Sequence, residues 1–76
     1  MTIQNNSNCT TAPSGAVMVD PGAATAITAF ANGGHSWTLA SGWTVVSGTA
    51  SIADPTQSAT TVTLSAGDAT ILATCP

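Results

Sequence analysis

The chain has 76 residues, no lysine or arginine, and three aspartates (Asp20, Asp54, Asp68) that set its formal net charge at −3. Charged residues make up 4% of it against about a quarter in an ordinary soluble domain. There is therefore no basic patch to release counterions from nucleic acid, to attract anionic lipid, or to clamp a phosphoryl group or carboxylate. With 43% hydrophobic residues and a polar remainder of Thr, Ser, Asn and Gly, the composition is not that of a disordered chain; the length suits one small domain.

Residues 1–13, MTIQNNSNCTTAP, are polar, have Ile3 as their main apolar anchor, and end at a proline. They read as an N-terminal arm ahead of a domain covering residues 14–76. Two glycosylation sequons, Asn5-Asn6-Ser7 and Asn8-Cys9-Thr10, fall in this arm, where asparagine-rich sequence produces such matches readily. The arm lacks the basic start and apolar run of a secretory signal, and no stretch of the chain reaches the length of a membrane span.

From Gly15 onward, short β-type runs alternate with turn signals. Gly15 to Asp20 ends in Asp20-Pro21-Gly22, Ala24 to Ala31 in Asn32-Gly33-Gly34, and His35 to Ala40 in Ser41-Gly42. Trp43 to Val46 ends in Ser47-Gly48, Thr49 to Ala53 in Asp54-Pro55, Ala59 to Ser65 in Ala66-Gly67-Asp68, and Ala69 to Cys75 closes the series. No window carries a helical period. Alternation places Trp37 with Leu39, Trp43 with Val45, Val62 with Leu64, and Ile71 with Ala73 and Cys75 on inward faces. Threonines such as Thr28, Thr44, Thr61 and Thr63 take the outward faces, where a branched β-carbon suits the pleat.

The stretch HSWTLASGWTVVSG from His35, followed by ATTVTLSAGDATILATC from Ala59, resembles bacterial immunoglobulin-like modules, in particular the PKD-like repeats of cell-surface proteins. ASIADPTQSATTVTLSAGDATILAT is also similar to divergent internalin-type repeats. The resemblance implies a small immunoglobulin-like β-sandwich of about six or seven short strands. Trp37 would be its core tryptophan, with Val45, Val62, Leu64 and Ile71 around it, and the run ending in Cys75 its F-type strand. The pattern departs from the family in two ways. No G strand follows Cys75, and the other cysteine, Cys9, precedes the first strand of the domain instead of lying in the second.

A sheet short of its last strand exposes unpaired main-chain groups that invite another chain. The arm, through Ile3, Asn5, Asn8 and Thr10, is the candidate to fill that place in a neighbouring subunit by donor-strand pairing, and such head-to-tail contacts build fibres. The cysteines leave two arrangements open. An intrachain Cys9–Cys75 bond would stabilise the domain by about 4 kcal/mol; alternatively Cys75 of one copy bonds Cys9 of the next. Either implies an oxidising, extracellular or cell-surface environment.

No enzyme chemistry emerges. His35 reads as a rim histidine capping a loop, since no carboxylate or nucleophile lies at a motif spacing from it, and the serines lack a Gly-x-Ser-x-Gly elbow. The aspartates sit at turns, where their side chains hold nearby backbone N–H groups; no calcium loop is present, and two thiols with one histidine are too few for zinc. No cofactor or metal is expected. Trp43 is the candidate for an exposed interface or for stacking on a carbohydrate. The sequence thus predicts a structural subunit of an extracellular fibre or appendage that assembles with itself, or else a monomeric immunoglobulin-like binding or spacer module of a surface adhesin or virion.

Overall fold

The computed structural model describes residues 1–38 and 41–76, with the Ala66 side chain left out. It is all-β. The strands are β1 (Thr2–Asn5), β2 (Cys9–Ala12), β3 (Gly15–Ala16), β4 (Thr25–Ala31), β5 (Gly42–Ile52) and β6 (Ala59–Thr74). All belong to one curled, mixed, half-barrel sheet, where the sequence predicted a sandwich.

β6 organises the sheet. One of its edges carries β5 along the whole hairpin, from Gly42 opposite Thr74 to Ile52 opposite Val62. Its other edge carries β4 antiparallel in the first half, Thr25 opposite Val62, and β1 parallel in the second half, Ile3 opposite Ile71. Between these two, the Gly22 N–H donates to the Leu64 carbonyl at 2.9 Å. β2 extends the sheet beyond β4, and β3 beyond β1.

The hairpin of β5 and β6 replaces four predicted short strands, because the turn signals inside it make bulges instead of reversals. Gly48 has φ +77° and Gly67 φ +69°, the left-handed conformation that a G1-type bulge uses. The register slips between Val45 and Ser47 and again between Gly48 and Ala50, where Leu64 and Ala69 are the facing residues. No side chain fits at Gly48: a Cβ there would strike the Asp68 carbonyl oxygen and lie 2.7 Å from the Ala69 Cα.

These bulges bend the hairpin back on itself. A straight strand would hold Trp43 and Pro55 about 40 Å apart, yet the Trp43 N–H donates to the Pro55 carbonyl at 2.9 Å. The tip of the hairpin therefore closes over its own start, and that curl encloses the core. Buried inside are Ile3, Ile27, Trp43, Val62, Leu64, Ile71 and both cysteines, with Val45 and Trp37 packed partly buried against them.

Other predicted elements change as well. His35 to Thr38 is not a strand, and Leu39 and Ala40 of that run lie outside the described residues. Gly15 to Asp20 pairs as a strand only at Gly15–Ala16, although Val17 continues it through a bond from its N–H to the Met1 carbonyl at 2.7 Å. The largest correction concerns residues 1–13, which are not an arm. They supply two strands of the sheet and bury Met1, Ile3 and Cys9, because β6 offers β1 an otherwise open edge, where Ile3 meets the core beside Ile71, and β4 offers one to β2.

Candidate functional site at the junction of the first and last strands

The chemistry-bearing side chains of the N-terminal segment converge where β1 and β6 end and β2 begins. Cys9 and Cys75 form an intrachain disulfide with Cα atoms 5.8 Å apart. This is the first of the two arrangements that the sequence leaves open. The sulfurs sit in the core, with the two residues 2% and 1% exposed.

Asn6 holds this junction. Its N–H continues the β1 ladder to the Ala73 carbonyl at 3.1 Å. Its side chain then takes the place of a strand neighbour for Cys75: Nδ2 donates to the Cys75 carbonyl at 2.7 Å, and Oδ1 accepts from the Cys75 N–H at 3.3 Å. Asn8 Nδ2 also donates to the Cys75 carbonyl, at 3.3 Å. Asn32 fastens the rim, donating to the Ser7 carbonyl at 3.0 Å and accepting from the Thr10 hydroxyl at 2.8 Å.

Ile3, Asn5, Asn8 and Thr10 are thus parts of one folded unit. Ile3 is core, Asn8 and Thr10 are engaged as described, and Asn5 is exposed at the end of β1. Sequence reasoning missed Asn6 and Asn32. An asparagine two or three residues from a cysteine or a strand end has no periodicity to betray it, and the only signal was the local asparagine enrichment beside Cys9.

Trp43 keeps the inward place it shares by alternation with Val45 and is not an exposed interface, while Trp37 is only partly buried and not the core tryptophan that the resemblance implies. Trp43 is the buried indole, 4% exposed, and Trp37 lies partly buried against it, with ring centroids 6.2 Å apart. Both serve to close the curl. Trp37 Nε1 donates to the Thr56 carbonyl and Trp43 Nε1 to the Gln57 carbonyl, each at 2.9 Å. With Trp43 N–H on Pro55, three successive carbonyls of the hairpin tip are held by the two tryptophans. Trp43 consequently has no free face on which a sugar ring could stack. Sequence alone could not rank the two indoles, because the rank depends on the hairpin folding over Trp43.

The ionisable groups are spread apart. Asp54 orders the hairpin tip by accepting from the Thr56 hydroxyl at 2.6 Å and from the Thr56 N–H at 3.0 Å, and these bonds hold its carboxyl below its ordinary range. Asp68 pairs with the Met1 amino group at 2.6 Å and accepts from the Ala69 N–H at 2.8 Å; the bond to the amino group, above all, lowers its carboxyl in the same way. His35 is exposed, its Nδ1 3.1 Å from the Pro76 carbonyl oxygen. Among the described residues there is no cavity and no group of three or more His, Cys, Asp or Glu side chains placed to hold a metal, and no helix is long and apolar enough to cross a membrane.

No known protein family, curated protein or solved structure matches the chain. What the site can do therefore follows from its own geometry: it joins the first strand to the last by main-chain bonds, an asparagine clasp and a covalent bridge.

One polar atom nearby is left over. The Thr11 hydroxyl is buried with no hydrogen-bond partner among the described residues. Thr11→Val keeps the shape and removes a desolvated hydroxyl, so it is expected to raise stability by about 1 kcal/mol. Urea titration of the two proteins checks this, and a loss of stability would show that the hydroxyl is satisfied.

Proposed function

We propose that this chain is a non-enzymatic structural module of an extracellular or surface-exposed protein, working as an internally closed spacer. The observation that carries the reading is the β1–β6 junction. Parallel pairing of the first and last strands sends the chain in at one end of the pair and out at the other, the geometry needed to string modules in line. The buried disulfide at that junction suits an oxidising location. The outward threonines, three aspartates and absence of lysine and arginine give a weakly acidic, hydroxyl-rich surface with no means of gripping phosphate or nucleic acid.

Sedimentation velocity combined with non-reducing denaturing electrophoresis tests the proposal. The expected result is a monomer of 7.4 kDa running as one band. A ladder that collapses with reductant would overturn the spacer reading in favour of a fibre. In such a fibre, β1 of one copy would make the same main-chain bonds beside β6 of the next, and Cys9 and Cys75 would bond between copies.

A further inference from the structure

β1 runs parallel to β6, with Thr2 opposite Thr70 and Asn5 opposite Ala73. A pull that enters ahead of Thr2 and leaves after Cys75 drives these strands past each other along their own axes. The evenly spaced bonds of a parallel pair are then loaded together, in shear, and are not opened one at a time as at the mouth of a hairpin. Sliding by one residue would also turn Ile3 away from the core, since successive side chains face opposite ways. Asn6 lengthens the clamp with its bonds to Ala73 and to both main-chain groups of Cys75.

Directly beyond the clamp lies the disulfide. Once residues 1–8 are drawn out, tension passes from Cys9 through the sulfurs to Cys75, and everything from Thr10 to Thr74 is off the load path. The sulfurs are covered while the clamp holds: the two cysteines are 2% and 1% exposed, and the Asn6 side-chain oxygen lies 3.2 Å from the Cys9 sulfur.

We infer that this module bears tension: β1 with Asn6 is a shear clamp that yields first, and Cys9–Cys75 is a covalent stop hidden from reductants until the clamp has yielded. The inference rests on the spacer reading. The reductant is a dithiol. Its thiolate attacks one cysteine sulfur, the Cys9–Cys75 bond breaks, and the second thiol closes the reductant's own disulfide. Two electrons and two protons pass to the protein, leaving two cysteine thiols.

The test is constant-force pulling on the full chain repeated in tandem. Without reductant each module is expected to lengthen by a short step of about 15 Å, the reach of residues 1–8 less the distance that β1 already spans beside β6. With a dithiol present, a long step of about 220 Å follows, the reach of the 66-residue separation between the cysteines, and only after the short one. Unloaded arrays in the same dithiol should acquire labelled thiols at least tenfold more slowly. Long steps without reductant, long steps not preceded by short ones, or equal labelling of loaded and unloaded arrays would each overturn the inference. Asn6→Ala, which keeps both cysteines, should lower the force of the short step and leave the length of the long step unchanged; an unchanged short-step force removes Asn6 from the clamp. Self-association seen by sedimentation before pulling defeats the spacer reading, whereas a monomeric array with long oxidised steps defeats the tension reading alone.

Discussion

Replacing both Cys9 and Cys75 by serine is expected to lower the stability of the domain by about 4 kcal/mol. The bridge closes a loop with a separation of 66 residues, and cross-linking a loop of that size removes a large part of the unfolded chain's conformational freedom. A domain of 76 residues has in all about 4–11 kcal/mol at the usual stability per residue, so this one bond separates a folded population from a largely unfolded one. Serine at two buried positions adds polar groups to the core and pushes in the same direction. Guanidinium titration followed by circular dichroism reads the effect. A change below about 1 kcal/mol would mean that the sheet holds the junction without covalent help, which would leave the Asn6 clasp as its main fastening.

The second large effect separates the two tryptophans. Trp43→Ala is expected to cost about 3–5 kcal/mol, the range for deleting a fully buried aromatic, because the indole fills the closed curl and its Nε1 holds the Gln57 carbonyl. Trp37→Ala is expected to cost only about 1–2 kcal/mol, since it removes one hydrogen bond and the burial of a partly covered ring. The rings touch, so the double variant should fall short of the sum. Denaturant midpoints followed by the fluorescence of the remaining tryptophan measure each change. Equal losses, or a greater loss at Trp37, would restore the core role that the immunoglobulin-like resemblance implies for Trp37. If Trp43→Ala does not fold, Trp43→Phe keeps the comparison, removing the Nε1 bond while leaving most of the ring's apolar surface in place.

Several features were legible from particular residues. Alternation of Val62 with Leu64 and of Ile71 with Ala73 and Cys75 identified side chains that are all buried, because a strand's period of two is written locally. The same rule put Val45 on the inner face, where it packs partly buried. The turn chemistry of Asp54-Pro55 was equally local: Asp54 needs only Thr56, two residues on, to form its bonds. Ser47-Gly48 and Gly67-Asp68 misled for a related reason. Glycine announces a positive φ, and a bulge within a long strand and a reversal between two short ones both use it. Only the partner strand across the hairpin decides between them.

By itself, then, the sequence determined an all-β chain, its inward side chains, and a surface on which threonine replaces charge. Each of these depends on residues at most a few positions apart. The tertiary structure alone decided that residues 1–12 complete their own sheet, that Cys9 meets Cys75, and that Trp43 is covered while Trp37 stays partly open. Those outcomes join positions up to 69 residues apart, as between Asn6 and Cys75. They are set by which edge of β6 remains free and by how far the bulges at Gly48 and Gly67 bend the hairpin. Neither quantity has a local signature, because main-chain hydrogen bonding along a sheet edge accepts almost any strand and leaves the choice to the packing of Ile3 and the position of the cysteines.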